Sequence, residues 1–385
     1  MSDEGVAHVI VEGCDETSIQ YVYGGGNAAS VPATHVEVNS CYEIGSMFGG
    51  GNGLDNLSDG SPNPGANVGY QADGTTAYGT GKTFAELLGG TIHYAFGGSN
   101  TKGNIREGAT LRIDEAGECP LEVEEVYGAG NKAAQDGAAQ IQLGCVSYLK
   151  EIYGGAREAD LGGNIVLSIT SGRFDRIFGG NNVDGDITGT ITVNVEETGC
   201  HPIIIGQLYG GGNMAAYTAP TGKAGPTLNV RSFTSIGDIY GGGYGASAVV
   251  TGDTFVNIEE CLGDNASSEL EATAANTGKN INIVVGEDGS GNSITETVFQ
   301  PAHTAGAIGS INNVYGGGNA ANVVGKTTVN IGTKMGENII FVTPESASEA
   351  DRTKEVKGVD IRGNVFGGGN KADVTGKTNV VVGKE

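Results

Sequence analysis

The stretch VYGGGNAANVVGKTTVNI at residues 314–331 decides the fold, because both of its halves recur along the chain. Residues 365–382 repeat the pattern as VFGGGNKADVTGKTNVVV. The first half is a signature made of an apolar residue, an aromatic residue and two or three glycines. Ten copies of this signature place their aromatic residues at Tyr23, Phe48, Phe96, Tyr127, Tyr153, Phe178, Tyr209, Tyr240, Tyr315 and Phe366.

Asparagine usually follows the glycines, and the distances between copies define a repeat. Most aromatic residues lie 25–31 residues apart, with longer gaps of 48, 75 and 51 residues. A long gap holds either two or three units or one unit with an insertion. Arg157 and Tyr244 replace the asparagine in two copies and break the row. The asparagines stand at Asn27, Asn52, Asn100, Asn131, Asn182, Asn213, Asn319 and Asn370.

The second half of the stretch is a β-branched run with period-two alternation. Similar runs at residues 189–196, 252–259 and 376–383 also begin at glycine, so each is predicted to be a strand. Another strand is expected to run into the aromatic residue, as in residues 308–315. No segment of about 12 residues or more has the apolar period of a helix. The repeat therefore predicts an all-β parallel β-helix, or β-solenoid, with one coil per unit.

Stacked coils place equivalent positions in ladders, because neighbouring strands lie about 4.8 Å apart. We expect an aromatic stack, an aliphatic core and an amide ladder of the asparagines at one corner. The corner glycines allow positive φ and a tight turn, and they carry no Cβ that would clash with the next coil. About 11–14 coils would give an axis of roughly 50–65 Å. A β-propeller or sandwich fits less well, because a propeller blade needs roughly 40 residues or more.

The repeats define a single domain over residues 1–385, which is interrupted by three segments rich in turn-forming or charged residues. These segments are predicted to be insertions at about residues 53–90, 261–309 and 343–358. Insertions of this kind commonly leave the array on one face, and that face can bind a partner.

Composition excludes several classes of protein. Glycine accounts for 69 of 385 residues but has no Gly-X-Y period, which excludes collagen. Hydrophobic residues at 38% are too many for a disordered acidic tail. No apolar run approaches the roughly 18 residues of a membrane span, so no membrane insertion is expected. The net charge of −24 argues against nucleic-acid binding. The opening MSDEG lacks the basic and apolar regions of a signal peptide.

The sequence shows no catalytic or cofactor-binding motif. The Gly-Lys-Thr triplet at residues 81–83 lacks the preceding glycine of a phosphate-binding loop, and we expect it to open a strand. The five histidines are scattered, without a metal-binding spacing. Calcium candidates are Asp184 and Asp186, together with Asp55 and Asp59, because carboxylate oxygens suit this hard cation. Otherwise we expect no metal.

The six cysteines follow strand runs at a similar place in the coil. Cys14 with Cys41, and Cys119 with Cys145, lie about one coil apart, within the Cα range of a disulfide if coils stack. Six cysteines are few for a secreted protein held together by disulfides, so buried free thiols are expected instead.

The pattern at residues 314–331 and 365–382 resembles the glycine-rich repeats of large, adhesin-like surface or secreted proteins of gut bacteria. The resemblance covers most of the chain. It implies a parallel β-helix and an exported scaffold, located at the cell surface or outside the cell. It brings no catalytic residues with it.

These expectations favour a non-enzymatic structural or adhesive scaffold that contacts a host or microbial surface protein or glycan. End-to-end or edge self-association is a further expectation. The alternative is a carbohydrate-active β-helix, similar to a polysaccharide lyase or glycosidase, or a glycan binder similar to a phage tail spike. Such enzymes need clustered acidic residues on the outside of one ladder. The outward positions of the β-branched strands are mostly uncharged, and Glu37 and Arg112 are predicted to lie too far apart to pair.

Overall fold

The computed structural model is built mainly from strands and turns. It describes 25 β-strands, and within the described residues there is no helix, so the expected all-β class is confirmed. Twenty of these strands form one large sheet. The described residues are 5–13, 17–54, 56–198, 200–259, 278–303, 308–332 and 360–382.

The β-branched runs pair in parallel to form a column that we call the first ladder. Each strand pairs in register with the strands one repeat before and after it. Val329, for example, lies opposite Val256 on one side and Val380 on the other. In spatial order the first ladder contains β1 (Ala7–Gly13), β3 (Thr34–Phe48), β4 (Lys82–Phe96), β5 (Gly108–Ile113), β7 (Ala138–Leu143), β9 (Ile165–Ile169), β11 (Ile191–Glu196), β14 (Thr227–Ser232), β17 (Thr254–Ile258), β22 (Thr327–Ile331) and β25 (Thr378–Val382).

The strands that run into the aromatic residues form a second parallel column, the second ladder. Strands β3 and β4 are long enough to run through both ladders. We call the part of both ladders that one repeat contributes a rung. In spatial order the other strands of the second ladder are β2 (Ser18–Tyr23), β6 (Leu121–Tyr127), β8 (Tyr148–Tyr153), β10 (Arg173–Phe178), β12 (Ile204–Tyr209), β15 (Ser235–Tyr240), β20 (Ser310–Tyr315), β23 (Asp360–Ile361) and β24 (Val365–Phe366).

Short pairings form a third line between the two ladders. Strands β13 (Tyr217–Thr218), β16 (Val250–Thr251) and β21 (Val323–Val324) pair in parallel, and Val323 forms a further bridge to Val374. Single parallel bridges continue this line at other rungs. The remaining strands, β18 (Lys279–Glu287) and β19 (Ser293–Gln300), form an antiparallel hairpin.

An apolar core lies between the two ladders. In β22 the buried Val329 and Ile331 alternate with half-buried residues, as expected for a strand with one face in a core. In β20 the buried Ile311 and Val314 are separated by two outward residues, so the alternation is not strict there. Side chains from both ladders belong to one buried cluster. Each such Val, Leu or Ile contributes roughly 1.5–3 kcal/mol through its burial.

The bounds of the predicted insertions agree only partly with the segments that lie outside the two ladders. Strand β4 begins at Lys82, so residues 82–90 of the first predicted insertion, about 53–90, lie in both ladders. In the second, about 261–309, the described part is chiefly the β18–β19 hairpin. The third, about 343–358, lies outside the described residues.

Each long gap between signatures corresponds to one repeat that carries an insertion. Strand β3 pairs directly with β4, β15 with β20, and β20 with β24, although 48, 75 and 51 residues separate their aromatic residues. The ten signatures therefore occupy ten consecutive rungs. The first ladder contains one strand more, and its ten steps at the strand spacing of about 4.8 Å give roughly 48 Å, just below the expected 50–65 Å.

Candidate functional site

The ten aromatic residues of the signature form one column along the second ladder. Each ring stacks on the next with centroids 4.6–5.1 Å apart and with planes 3–12° from parallel. The eight rings from Phe48 to Tyr315 are buried. Each aromatic pair adds about 0.5–1.5 kcal/mol beyond the burial of its area. The structure therefore brings together every aromatic residue that the sequence analysis selected.

The first glycine after each ring is required by a close approach between rungs. A Cβ on Gly128 would lie 2.2 Å from the carbonyl oxygen of Gly154, and a Cβ on Gly179 would lie 2.4 Å from that of Gly210. The positive φ that glycine allows is not used in these turns, because none of residues 24–26, 210–212 or 316–318 has positive φ. These turns need glycine because any side chain would collide with the neighbouring backbone.

The asparagines form an amide ladder in three groups. Within each group the Nδ2 of one asparagine donates to the Oδ1 of the preceding one at 2.9 Å. Arg157 and Tyr244 stand between the groups and leave the Oδ1 atoms of Asn131 and Asn213 buried without a hydrogen-bond partner. The groups are Asn27, Asn52, Asn100 and Asn131; then Asn182 and Asn213; then Asn319 and Asn370.

Acidic side chains two residues before the ring accept a hydrogen bond from the tyrosine hydroxyl. Tyr153 Oη donates to Glu151 Oε2 at 2.6 Å, and Tyr127 Oη donates to Glu125 in the preceding rung. Burial raises the pKa of the Glu125 carboxyl and also the pKa of Tyr153, the latter well above its usual value. These tyrosines therefore keep their protons and act as hydrogen-bond donors.

Arg176 lies beside this column, opposite Glu151 in the neighbouring strand. Its Nε donates to Glu151 Oε1 at 2.8 Å, and Nη2 donates to the same oxygen. Only 3% of the Arg176 side chain and 7% of the Glu151 side chain are exposed. The guanidinium carbon also lies 5.2 Å from the ring centre of Phe178 and 5.4 Å from that of Tyr244. We call Glu151, Tyr153, Arg176 and Tyr244 the Arg176 cluster.

The β18–β19 hairpin covers the second ladder next to this cluster. Ile283 packs on Gly206 and Val298 packs on Gly237, where a Cβ would lie 2.5 Å and 2.6 Å from the hairpin side chains. Glu296 of the hairpin accepts a hydrogen bond from the tyrosine at residue 244 at 2.8 Å. The inserted hairpin therefore closes this part of the outer face and does not extend away from the rungs.

Glu125→Gln is expected to raise the stability of the protein at pH 7. Because burial raises the folded-state pKa of Glu125 above its unfolded value, stability falls as the pH rises through this interval. Glutamine can still accept the hydrogen bond from Tyr127, and it removes the buried charge. Between pH 4 and pH 8, the urea midpoint of the variant should fall less with rising pH than the midpoint of the unmodified protein. Glu124→Gln is the control, because half of the Glu124 side chain is exposed; a less stable Glu125→Gln at pH 7 would contradict this expectation.

The calcium candidates do not form a cluster. Asp184, Asp186 and Asp59 are exposed, and Asp55 lies outside the described residues. None of the three described aspartates belongs to a set of three His, Cys, Asp or Glu side chains at ligand distance. Over the described ranges there are two such sets, which are Cys145, Cys200 and His201, and His8, His35 and Glu37.

Four of the six cysteines form two disulfides. Cys41 bonds to Cys119 and Cys145 bonds to Cys200, with Cα atoms 5.3 Å and 5.4 Å apart. The expectation of buried free thiols is therefore wrong for these four residues. The pair Cys119 and Cys145, which the sequence places within disulfide range, is not formed, because each residue bonds to another cysteine.

Each disulfide passes over one rung, because the rung between its two cysteines has a short corner. In the first case this corner contains Gly89, where a Cβ would lie 2.9 Å from the carbonyl oxygen of Cys119. In the second case only residues 170–172 separate β9 from β10. The other pair within disulfide range, Cys14 with Cys41, is not formed either, because Cys41 bonds to Cys119. Cys14 itself lies outside the described part of the chain.

The two disulfides predict a defined alkylation pattern. Without a reductant, denatured protein should leave Cys41, Cys119, Cys145 and Cys200 unmodified by iodoacetamide, and all four should react after reduction. Peptide mapping by mass spectrometry should recover the linked pairs, each about 2 Da lighter than its two reduced peptides. Alkylation of any of these four residues before reduction would contradict the pairing.

Comparison with known proteins gives no match to this chain among family models, curated proteins or solved structures. In the part of the chain that the structure describes, no helix is long and apolar enough to cross a membrane. The molecule is thus defined by its own geometry as an all-β protein with two parallel ladders and a polar cluster beside a column of rings.

Proposed function

We propose that the chain is a parallel β-helix that serves as a non-enzymatic structural or adhesive scaffold of an exported bacterial surface protein. The observation that carries this proposal is the ten-ring column, to which each repeat contributes one ring. Such a column requires consecutive repeats to stack in register. Each repeat contributes in turn to the two ladders and to the third line of short pairings. This order supports one coil per repeat.

The polar groups beside the column support a structural role, because they bind one another. Glu151 accepts hydrogen bonds from Arg176 and Tyr153. On the first ladder, Asn229 Nδ2 donates to Asn194 Oδ1 at 3.0 Å in the same manner. These bonds would have to break before a substrate could use the groups, which makes them poor catalysts and good links between rungs.

The disulfides and the repeat pattern support an exported location. Disulfides persist in oxidising compartments, and the YGGGN-type signature resembles that of surface or secreted proteins of gut bacteria. The partner in this proposal is a host or microbial surface protein or glycan. End-to-end or edge self-association of the ladders is part of this proposal.

A glycan-acting or glycan-binding β-helix is the second candidate, and one observation favours it. Glu125 and Glu151 lie opposite each other on neighbouring strands, beside the exposed Tyr148. The strand spacing of about 4.8 Å is close to the roughly 5–5.5 Å between the carboxyl groups of a retaining glycosidase. Tyr148 supports this candidate, because a tyrosine ring can stack on a sugar ring. The hydrogen bond from Arg176 to Glu151 argues against it, because it occupies one of the two carboxylates.

A localisation experiment and an activity assay test these proposals. An antibody against the protein should label intact source cells or detect the protein in their medium. Detection in the cytoplasm alone would overturn the scaffold proposal. Incubation with neutral and acidic polysaccharides should release no reducing ends and no unsaturated products. Turnover that disappears in both Glu125→Gln and Glu151→Gln would favour the enzyme. A trimer in sedimentation would favour the tail-spike form of the second candidate.

A further inference from the structure

His8 and His35 form a pair on the outer face of the first ladder, at its β1 end. They are register partners in β1 and β3, and their rings stack with centroids 4.5 Å apart and planes 11° from parallel. Glu37 lies two residues after His35 and therefore faces the same side of the strand. One ligand atom from each of these three side chains lies within 4.8 Å of the others.

We propose that His8, His35 and Glu37 bind a divalent transition-metal ion of the Zn²⁺ class. Two imidazoles and one carboxylate form a ligand set that Zn²⁺ prefers, and a water molecule would complete a tetrahedral site. At metal–ligand distances of about 2.0–2.2 Å, neighbouring ligand atoms of a tetrahedron are roughly 3.4 Å apart. The two rings would turn out of their stack on binding so that both nitrogen lone pairs point at one ion. His8 is exposed and the other two side chains are half-buried, which leaves room for this change.

Glu86 acts as the positioning residue of this site. Its Oε2 lies 3.3 Å from His35 Nε2. In the proposed site Nδ1 of His35 is therefore the ligand nitrogen. A carboxylate that accepts from the second ring nitrogen fixes the orientation of a ligating histidine and raises its basicity. Arg112 Nη1 holds the other oxygen of Glu86 at 3.2 Å, and its Nη2 bonds to Asp114 at 2.9 Å.

A metal at this site would link the first two rungs of the first ladder. The ligands come from strands that are neighbours in the sheet and about one repeat apart in sequence, so binding requires that the rungs be stacked. The ion would therefore bind the folded chain and not the unfolded one, and it would raise the melting temperature with its concentration. This site is separate from the scaffold proposal and does not depend on it.

Titration calorimetry with zinc chloride tests this site on the full chain, with its disulfides intact and no reductant present. We expect one ion per chain, at least a tenfold loss of affinity in His8→Asn and in His35→Asn, and a loss of about 10–100-fold in Glu86→Gln. Calcium chloride should give no binding at this site, because two of the ligands are nitrogen atoms.

His93→Asn is the matched control, because His93 also lies between two carboxylates, Glu43 and Glu124, but has no second histidine beside it. This variant should bind zinc as the unmodified chain does. Visible spectra with cobalt chloride give a second measurement, since tetrahedral coordination produces strong absorption that His8→Asn should abolish. Absence of zinc binding, or zinc binding unchanged in both His8→Asn and His35→Asn, would overturn the proposal. Circular dichroism of each variant shows whether it has folded.

Discussion

Tyr209→Ala is expected to lower the free energy of unfolding by about 3–5 kcal/mol, the usual range for deleting a buried aromatic side chain. The Tyr209 ring is fully buried and stacks on Phe178 at 4.9 Å and on Tyr240 at 4.7 Å. Tyr244 also meets it edge-on at 5.6 Å. Its removal would therefore deprive three rings of a partner and open a cavity between rungs. Urea unfolding followed by circular dichroism measures the change.

Tyr209→Phe is the matched control, because it keeps the ring and removes only the hydroxyl. This hydroxyl is buried without a hydrogen-bond partner, so its removal should be neutral or stabilising by up to about 1–3 kcal/mol. Tyr153→Phe should be destabilising in contrast, because Glu151 would lose a donor. If Tyr209→Ala and Tyr209→Phe shift the urea midpoint equally, the ring column does not hold the rungs together.

Arg176→Met is expected to lower the free energy of unfolding by about 3–5 kcal/mol, because it leaves the Glu151 carboxylate buried without its cation. The Arg176 side chain also contacts the faces of the Phe178 and Tyr244 rings, and methionine replaces only part of that contact. The same urea measurement applies.

The double variant Glu151→Gln with Arg176→Met separates the charge from the packing. It should recover much of the loss, because replacing both partners of a buried ion pair removes the uncompensated charge. Arg173→Met is the control in the same strand, since Arg173 is exposed and lies 6.0 Å from the Tyr148 ring. Equal effects of Arg173→Met and Arg176→Met would contradict the importance of the buried pair.

The sequence alone identifies the positions at which every repeat carries the same type of residue. One aromatic and one asparagine per repeat are visible without a structure, and so are the two replacements, Arg157 and Tyr244. The structure places these residues in the ring column and at the breaks of the amide ladder. The sequence predicts that the turns need glycine, but it does not show whether the cause is positive φ or a close approach. The φ angle depends on the local turn, whereas the close approach depends on the neighbouring rung.

Strand β4 lies in one of the long gaps between two signatures, where the sequence predicts an insertion. The 48 residues between Phe48 and Phe96 favour an insertion that extends to about residue 90, although the Gly-Lys-Thr triplet at residues 81–83 is itself expected to open a strand. Strand β4, which carries Glu86, begins at Lys82 and therefore inside the predicted insertion. The same triplet recurs at residues 325–327 and 376–378, where β22 and β25 begin, so it marks the start of a first-ladder strand. Because the predicted insertion includes Glu86, the outward neighbour of Arg112 was missed, although the two side chains form an ion pair.

The Arg176 cluster and the histidine pair were missed for two different reasons. Arg176 and Glu151 lie on strands of the second ladder, where two outward residues separate the inward ones and strict alternation does not apply. His8 and His35 are 27 residues apart, which is one repeat. Aligning AHVIV with THVEV in register would have placed them side by side. Sequence spacing alone does not show contacts that depend on register.

The disulfide between Cys41 and Cys119 encloses the whole first insertion, which is rich in exposed turns. A protease that cuts the chain between Asn56 and Gly81 would leave both fragments covalently joined. The ladders on either side of the cut would also remain paired, because β3 and β4 are hydrogen-bonded along their length. In a compartment that contains proteases, the molecule can therefore be cut in this exposed segment and remain in one piece.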